Sequence, residues 1–388
     1  MNFNFIIRGN IKFTIHPQIV NRNSYIPSML LSQKKRVLVA PLDWGLGHAT
    51  RCVPVIHELL AQGAEVILAA DGRAYSFLQM EFPALLLLRL PGYGITYPKH
   101  GMLGLHLLFH SPGIAKKIKE EKIAVEAIVR EYAIDIIISD NRFACRAEKT
   151  FNVYITHQLN VKSAFARKFA DRLHKNYYEQ FDEIWVPDAE GNINLSGELG
   201  HDAITATPFR YVGPLTRFPQ ADLLNSRPRK WWLVVLLSGP EPQRSIFENL
   251  ILEELAKHTE DALIIRGLTD GEGKISHPYP HVTMVDHLED EKMSEEILSA
   301  HYILSRPGYS TLCDLSALNV SPIVVPTPGQ TEQEYLAMYH ASQNNVVMQT
   351  QKKFNLREAI NAFHHINLFG VYPDHKALEK RVKGILKR

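Results

Sequence analysis

The chain contains two series of short, continuously apolar segments that alternate with helical patterns. One series lies in 36–186 and the other in 232–348, and each begins with a strand, a glycine turn and a helix. Strands that are apolar throughout, rather than at every second residue, are typical of parallel strands covered by helices on both faces. The sequence therefore predicts an α/β protein with two doubly wound, Rossmann-like domains that face each other across a cleft.

The predicted strands are short, and helical stretches separate most of them. They cover 36–40, 66–70, 134–139, 153–156 and 184–186 in the first series, and 232–237, 262–265, 282–285, 302–304, 323–325 and 346–348 in the second. The second series also contains a predicted helix over 246–258.

The domain boundaries follow from a break in this pattern. The stretch 216–230 is rich in Pro and Arg, contains Asn225 and has no periodicity, which is typical of a linker. We therefore place an N-terminal domain at 35–212, a linker that acts as a hinge at 213–230 and a C-terminal domain at 231–388. The last helix of the C-terminal domain could return to pack on the N-terminal domain.

Residues 1–34 show no periodic pattern and are assigned to an irregular N-terminal extension. They lack the order of basic region, apolar core and small-residue cleavage site that defines a signal peptide. A second methionine, Met29, precedes the first predicted strand. We expect the segment to be a non-essential extension or the product of a start codon placed too early.

Composition and charge limit the classes of function. A length of 388 residues suits two domains of about 150–200 residues each. A net charge of +2 gives no overall basic field for nucleic acid. Cys52, Cys145 and Cys313 form no C-x-x-C pair and suit a reducing cytoplasm, without disulfides or a zinc site. No apolar run approaches the roughly 20 residues of a membrane span.

The first glycine turn contains candidate catalytic groups. Gly45 and Gly47 allow a tight turn that leaves backbone N–H groups free at a helix N-terminus. His48 adds a titratable base and Arg51 a fixed positive charge. The alternative is that His48 only caps the helix.

A dinucleotide-binding turn is a second interpretation of this segment. Its fingerprint requires a third glycine at the position of Thr50, although Asp71 lies at the end of the second strand, where a ribose carboxylate is expected. This would make the chain an oxidoreductase. The absent glycine and the second nucleotide-like domain argue against it.

Polar residues follow two other strands of the N-terminal domain and the first strand of the C-terminal domain. Asp140 and His157 come directly after buried strands and are expected to line the cleft. Ser238, Gly239 and Arg244 form the matching turn of the C-terminal domain and could bind a pyrophosphate. Two prolines in that turn leave a purely structural role open.

The segment 304–333 contains the most informative cluster. Arg306 and Gly308 lie in a turn, and Asp314 follows on the next helix, where a carboxylate could accept two hydrogen bonds from a ribose diol. A capping box with Thr311 is the alternative for Asp314. Glu332 begins a further helix, where compensation of the helix dipole is its ordinary role. Together these groups suit a phosphorylated, hydroxyl-rich ligand such as a nucleotide-sugar.

Three motifs resemble those of glycosyltransferases with the GT-B fold, and especially family 28, typified by the N-acetylglucosaminyltransferase of lipid II synthesis. They are Gly45-Leu-Gly-His48, Ser305-Arg-Pro-Gly-Tyr-Ser-Thr-Leu-Cys-Asp314 and Gly329-Gln-Thr-Glu-Gln333. The similarity covers about 35–365. It implies transfer of a hexose, such as N-acetylglucosamine, from a UDP-sugar with inversion and without a metal ion or other cofactor. The carboxylate at 314 is Asp where the family has Glu. The chain therefore looks more like an uncharacterised relative than the peptidoglycan enzyme itself.

The resemblance also implies a role for each matching residue. It puts uracil at the strand end that includes His287 and Leu288, and ribose on Asp314. The remaining donor-binding residues are Ser238, Gly239 and Arg244 with Arg306, Gly308, Tyr309, Ser310 and Thr311 for the diphosphate, and Gln330, Glu332 and Gln333 for the sugar. The acceptor-side residues are Gly45, Gly47, Arg51, Asp140 and His157.

A mechanism follows from these roles. His48 is expected to remove the acceptor proton, with His157 as the other candidate, while helix N-termini, Arg244 and Arg306 stabilise the departing diphosphate. Two other functions remain open on the same fold. A UDP-sugar hydrolase would use His48 to activate water, and a non-catalytic sensor would bind the nucleotide-sugar without turnover.

An apolar stretch beside clustered lysines suggests where the acceptor could be. Residues 102–109 are apolar, and Lys116, Lys117, Lys119 and Lys122 follow them. Such a pair of segments can dock on anionic lipid without crossing it. We therefore expect a lipid-linked or glycan acceptor and a cytoplasmic protein that can contact the inner face of the membrane. The alternative is a buried helix followed by a solvated one.

Overall fold

The computed structural model describes residues 34–43, 45–93, 112–160, 175–201, 205–218, 228–239, 241–268, 279–363, 366–367, 369–370 and 375–388. The extension at 1–33, the apolar stretch at 102–109 and the linker positions 219–227 lie outside the described residues. Within the described part, two parallel sheets lie on either side of the linker in sequence.

The first sheet has seven parallel strands in the order β3-β2-β1-β4-β5-β6-β7. The strands are β1 (Arg36–Pro41), β2 (Glu65–Ala70), β3 (Leu86–Arg89), β4 (Ile136–Asp140), β5 (Phe151–Ile155), β6 (Glu183–Val186) and β7 (Phe209–Tyr211). The described helices of this part are α1 (Leu46–Ala61), α2 (Gly72–Glu81) and α3 (Pro112–Tyr132).

The second sheet has six parallel strands in the order β10-β9-β8-β11-β12-β13. The strands are β8 (Trp231–Leu236), β9 (Ala262–Ile265), β10 (Val282–Val285), β11 (Ala300–Ser305), β12 (Ile323–Val324) and β13 (Val347–Met348). The described helices are α4 (Gln243–Leu255), α5 (Asp290–Leu298), α6 (Tyr309–Ala317), α7 (Thr331–Ser342), α8 (Leu356–Phe363) and α9 (His375–Leu386).

Apolar side chains on both faces of each strand explain this architecture. In β1, Val37 and Val39 belong to one hydrophobic cluster, whereas Leu38 and Ala40 belong to another on the opposite face. All four are fully buried. A strand covered on both sides needs a helix layer on each face, which parallel connections provide. The predicted α/β fold with two doubly wound sheets is confirmed.

Three elements differ from the prediction. The sequence pattern does not predict β3, because this strand is part of a run of leucines, which strands and helices share. β7 is a three-residue strand with no fully buried residue and gives little signal. Helix α4 begins at Gln243, three residues before the predicted start at 246, so Arg244 lies in its first turn.

The C-terminal helix α9 packs on the first sheet. Its residues Leu378, Val382 and Ile385 are buried in the same hydrophobic cluster as one face of β1 and the buried side of α1. Gln62, which follows α1, donates a hydrogen bond from Nε2 to the carbonyl oxygen of Glu379 at 3.0 Å. The end of the chain therefore ties the C-terminal domain to the N-terminal domain.

Candidate active site at the interdomain cleft

The candidate site lies where the strand order reverses in both sheets. In the first sheet β1 lies beside β4, and Pro41 pairs with Asp140 at their carboxyl ends. In the second sheet β8 lies beside β11, and Leu236 pairs with Ser305. In open α/β sheets, ligands bind outside the carboxyl ends of the strands at such reversals. Both predicted glycine turns lead away from these two points.

His48 forms a pair with Asp140 at the first reversal. Gly45 caps α1 with φ 94°, a left-handed conformation that favours glycine, and this turn puts His48 in the first helical turn. The Nδ1 of His48 lies 2.7 Å from Oδ1 of Asp140. The imidazole is 13% exposed, whereas the carboxylate is fully buried. His48 therefore contacts a fixed carboxylate rather than capping the helix.

Arg51 sets the charge of this pair. Its Nε and Nη2 donate to the two carboxylate oxygens of Asp140. Burial and the charge of Arg51 lower the pKa of His48, although Asp140 opposes them. Burial would raise the pKa of Asp140, but Arg51 and His48 hold it below its usual range. The pair is thus a neutral imidazole beside an ionised carboxylate at neutral pH. Nδ1 of His48 lies 2.7 Å from Asp140 Oδ1, which can only accept, and 2.8 Å from Arg51 Nη2, which also donates to Asp140. A proton on Nδ1 satisfies Asp140 and leaves the other ring nitrogen able to accept a proton.

His157 extends the cluster across the cleft. Arg51 Nη1 lies 3.0 Å from Nδ1 of His157, and the Nε2 of His157 lies 2.8 Å from Oε1 of Glu332. The ring also stacks on Tyr309, with centroids 4.2 Å apart and planes within 5°. A continuous set of contacts thereby connects the His48–Asp140 pair of the N-terminal domain to α6 and α7 of the C-terminal domain.

A cavity of about 660 Å³, part of it open to solvent, lies beside this cluster. Its lining comes from both domains and the linker: Leu46, Gly47, Thr50, Arg217, Phe218, Leu236, Leu237, Ser238, Ile265, Gly267, His287, Met293, Ile297, Ser310, Thr311 and Asp314. Five of the predicted donor-binding residues therefore line one cavity, namely Ser238, His287, Ser310, Thr311 and Asp314.

Asp314 is bound by the start of the linker. Its carboxylate accepts hydrogen bonds from Thr216 Oγ1 at 2.8 Å and from Arg217 Nε at 3.3 Å. Burial raises the pKa of Asp314 to about 6, against the effect of Arg217. The capping box with Thr311 is wrong, because the N-cap of α6 is Gly308 and no side chain caps it.

Arg217 is a site residue that the sequence analysis missed. Of the described residues that line the cavity, it is the one arginine or lysine. It binds Asp314 and, through Nη1 at 2.9 Å, Asp290. The signal available in the sequence was a basic residue at the edge of the predicted linker, next to a cleft that must hold an anion.

The structure does not bring Arg244 and Arg306 to the cavity, which corrects two predictions. Arg244 is buried and donates to Glu241 at 2.6 Å and to Glu248 at 2.7 Å, because α4 starts early and places Glu248 one turn away. Arg306 is 1% exposed, donates to the carbonyl of Val325 and lies over the ring of Phe247. Both guanidinium groups stabilise the second domain rather than facing a diphosphate.

The other donor-side residues have local roles. Leu288 packs against the second hydrophobic core, and Gly239 adopts φ 99° in the turn after β8. Gln330 caps α7 by accepting from the N–H of Gln333 at 2.6 Å. The side chain of Gln333 in turn accepts from the N–H of Thr327 at 2.8 Å. These bonds fix the loop that presents Glu332.

The N-termini of α1 and α6 meet at the edge of the cavity. Ser310 Oγ donates to the carbonyl oxygen of Gly47 at 2.8 Å. A Cβ at Gly47 would lie 2.9 Å from Ser310 Oγ, so glycine permits this approach. Because each N-terminus has partial positive charge and free N–H groups, the junction favours an anion.

The contacts of Asp71 do not favour the dinucleotide interpretation. Its Oδ1 accepts a hydrogen bond from Arg142 Nη1 at 2.6 Å, and Arg142 is fully buried. The same guanidinium also donates to Glu121. Asp71 is therefore bound within a buried network at the carboxyl ends of the strands. Among the described residues no group of His, Cys, Asp and Glu has an arrangement that could bind a metal ion.

Two observations bear on the membrane. In the described part of the chain, no helix is both long and apolar enough to cross a bilayer. The lysines at 116, 117, 119 and 122 lie on α3. Lys116 and Lys117 both pair with Glu120, and the side chain of Lys116 is 77% exposed.

Comparisons with known proteins identify the type of enzyme. Residues 243–388 match the model of the glycosyltransferase family 28 C-terminal domain. An uncharacterised glycosyltransferase of Methanosarcina acetivorans is 23% identical over 323 residues, which are 77% of this chain and 81% of that protein. One from Methanosarcina mazei is 22% identical over the same shares.

Solved glycosyltransferases share the fold. UGT89C1 of Arabidopsis thaliana matches with a TM-score of 0.60 at 14% identity, covering 91% of this chain and 100% of that one. MurG of Acinetobacter baumannii matches with a TM-score of 0.51 at 13% identity and the same coverage. The expected resemblance is confirmed. Residues 34–388 form a glycosyltransferase with the GT-B fold, whose residues 243–388 are similar to the C-terminal domain of glycosyltransferase family 28.

Proposed function

We propose that this glycosyltransferase moves a hexose from a UDP-sugar to an acceptor hydroxyl, with inversion and without a metal ion. The observation that supports this most is the position of the His48–Asp140 pair. It lies at one strand reversal, beside a cavity that contains Asp314 at the other. The proposed base and the proposed nucleotide site are therefore adjacent and belong to different domains.

His48 acts as the general base. Its Nε2 takes the proton of the acceptor hydroxyl while the hydroxyl oxygen attacks C1 of the donor sugar. The bond between C1 and the diphosphate oxygen breaks on the opposite face, and UDP leaves with the electron pair. Asp140 keeps the proton on Nδ1, orients the ring and stabilises the imidazolium that forms.

Asp314 binds the ribose diol. A carboxylate can accept about four hydrogen bonds, so the bonds from Thr216 and Arg217 leave acceptor capacity for two hydroxyls. His287 lies on the same cavity and is the residue proposed to contact uracil. The solved complex of UGT89C1 with UDP-L-rhamnose supports a UDP-sugar as the donor.

The diphosphate charge is stabilised by the protein alone in this proposal. The N-terminus of α6, with Ser310 and Thr311, lines the cavity beside Ser238. Arg217 supplies the positive charge that was expected from Arg244 and Arg306. Oriented N–H groups and a guanidinium can stabilise a leaving diphosphate in the way a divalent ion does.

The acceptor is proposed to be a lipid-linked sugar or another glycan. The lysines of α3 follow the segment 102–109 in the sequence, and clustered lysines attract anionic lipid. Contact with the inner face of the cytoplasmic membrane would bring the first domain to a lipid-linked acceptor. Sedimentation with anionic vesicles at low salt tests this contact, and neutral vesicles are the control.

A panel of donors and acceptors tests the proposal. The protein is titrated with UDP-, GDP- and dTDP-hexoses, and turnover is measured with lipid-linked sugars, oligosaccharides and no acceptor. We expect UDP-hexoses to bind most tightly and the sugar to appear on an acceptor. Free sugar formed at the same rate without an acceptor would instead show a hydrolase, and binding without any product would show a sensor.

A further inference from the structure

Glu332, the residue proposed to bind the donor sugar, is bound by the opposite domain. The carboxylate lies at the start of α7, 20% exposed, and its Oε1 lies 2.8 Å from Nε2 of His157. His157 follows β5 of the first sheet and is 5% exposed. A role in compensating the dipole of α7 does not require this partner.

Arg51 determines which nitrogen of His157 bears the proton. The Nδ1 of His157 faces Arg51 Nη1 at 3.0 Å, which can only donate, and the Nε2 faces the Glu332 carboxylate at 2.8 Å, which can only accept. The two contacts agree, unlike those of His48 Nδ1, which lies near both Asp140 and Arg51. The Nε2 of His157 is therefore the nitrogen that donates to Glu332. Stacking on Tyr309 fixes the plane of the ring. His157 therefore has one orientation and one tautomer, both directed at Glu332.

The rest of α7 also contacts the N-terminal domain. The N–H of Glu198 donates to the hydroxyl of Tyr335 at 2.7 Å. Tyr339 donates to Oδ1 of Asn194 at 3.2 Å, and His340 Nε2 lies 2.9 Å from the carbonyl oxygen of Leu195. The helix that presents Glu332 is thus attached to the N-terminal domain along its length.

We propose that His157 is a positioning residue for the donor sugar, so that the sugar subsite is a composite of both domains. This inference rests on the proposed function. His157 holds the Glu332 carboxylate in place, and that carboxylate accepts hydrogen bonds from sugar hydroxyls. Choice between sugars that differ in one hydroxyl then depends on a residue of the acceptor-side domain, whereas binding of the UDP part does not.

The contact itself can be tested without any donor. Nitrogen-15 NMR of the imidazole rings in the full chain reports the tautomer of His157, with His157→Gln used for assignment and the exposed His301 as the reference ring. We expect His157 to be protonated on Nε2 and that proton to exchange more slowly than the His301 signal. Protonation on Nδ1, or exchange as fast as at His301, would overturn the proposal.

A second experiment measures donor selectivity, as the ratio of kcat/KM values for two UDP-hexoses that are epimers at one hydroxyl. Glu332→Ala and His157→Ala should each reduce the ratio of kcat/KM values by about ten- to a hundredfold, the effect of losing a bond to a charged group. The double variant should be no less selective than Glu332→Ala, because both changes remove the same interaction. His157→Gln retains a donor amide and should restore most of the selectivity, and UDP affinity should stay within about threefold throughout.

Three results would contradict the inference. The first is that Glu332→Ala reduces the selectivity and His157→Ala does not. The second is that the losses of selectivity in the two single variants multiply in the double variant. The third is that UDP affinity falls as much as selectivity does. If His157→Ala does not fold, His157→Gln and the NMR measurement decide the matter. Failure of the wild type to turn over any nucleotide-sugar would show that the proposed function itself is wrong, and the composite subsite would fall with it even if NMR shows the contact.

Discussion

Ser310 and Gly47 join the N-termini of two helices from different domains, since the serine hydroxyl donates to the glycine carbonyl oxygen at 2.8 Å. The contact closes one edge of the cavity in which the UDP part of the donor is proposed to bind. Its geometry depends on the absence of a side chain at 47.

Gly47→Ala should therefore weaken both the fold and the nucleotide site. The new Cβ would lie 2.9 Å from Ser310 Oγ and 3.3 Å from Ser310 Cβ, so the hydroxyl must rotate away from Gly47 and α1 and α6 must shift slightly to relieve the contact with Cβ. We expect a loss of about 1–3 kcal/mol in the free energy of unfolding, as for other overpacked sites, and weaker UDP binding. Denaturant unfolding and calorimetry measure both.

Gly384→Ala is the matched control for this change. Gly384 lies in α9, and a Cβ added there would meet no heavy atom within 4 Å. Because alanine is the better helix former, this substitution should be neutral or raise stability by up to about 1 kcal/mol. Equal stability and UDP affinity in the two alanine variants would show that the approach of α1 to α6 is unimportant.

Asp314→Asn should weaken UDP binding by about ten- to a hundredfold, because an amide loses the charged acceptor for the ribose hydroxyls. The pKa of Asp314 is raised to about 6, so the carboxylate form predominates above that pH and the protonated form below it. UDP affinity of the wild type should thus fall between pH 7 and pH 5. The variant should lose this component of the pH dependence, and an equally steep decline in both proteins would contradict the role of Asp314.

His48→Ala should affect turnover and leave UDP binding nearly unchanged. Proton transfer to His48 occurs only in the transition state, so kcat should fall by about 10²–10⁴ while the Kd for UDP stays within a few-fold. Burial and Arg51 lower the pKa of His48, so the acidic limb of the wild-type kcat profile should lie below pH 6.5. If the variant loses UDP binding but retains turnover per bound donor, His48 is not the base.

Arg217→Ala should weaken UDP binding more than uridine binding, because the proposed role of its charge is at the diphosphate. Uridine binding should also fall, since Arg217 binds the ribose carboxylate Asp314. Arg244→Ala is the comparison, since Arg244 is bound to Glu241 and Glu248 and does not line the cavity. We expect Arg244→Ala to reduce stability while the ratio of UDP to uridine affinity is kept. If Arg244→Ala lowers the ratio of UDP to uridine affinity and Arg217→Ala does not, Arg244 rather than Arg217 binds the diphosphate.

The fold and the location of the site could be predicted because both depend on local sequence. Continuous apolar runs indicate strands of a parallel sheet, and glycine turns after the first strand of each series indicate helix N-termini at the cleft. His48 and Asp314 follow from the same logic, since each lies on the helix that begins at a strand reversal.

The partners of these residues could not be predicted, because they depend on how the two domains are oriented. Thr216 is 98 positions from Asp314, and His157 is 175 positions from Glu332. The ion pair of Arg244 could have been predicted from the sequence, because Glu248 lies four residues later and therefore one helical turn away. The contacts of Arg306 could not be predicted from the sequence. It packs on Phe247 and donates to the main-chain carbonyl of Val325, and neither residue is close to it in the sequence.

The stereochemistry of transfer and its response to a chelator show whether the enzyme inverts the sugar without a metal ion. The wild type is incubated with an α-linked UDP-hexose, an acceptor found active in the panel and excess chelator, and NMR determines the anomeric configuration of the product. Direct attack by a hydroxyl activated at His48 predicts a β-linked product that forms at the same rate with and without the chelator. An α-linked product, or activity that disappears with the chelator and returns with a divalent ion, would contradict the account.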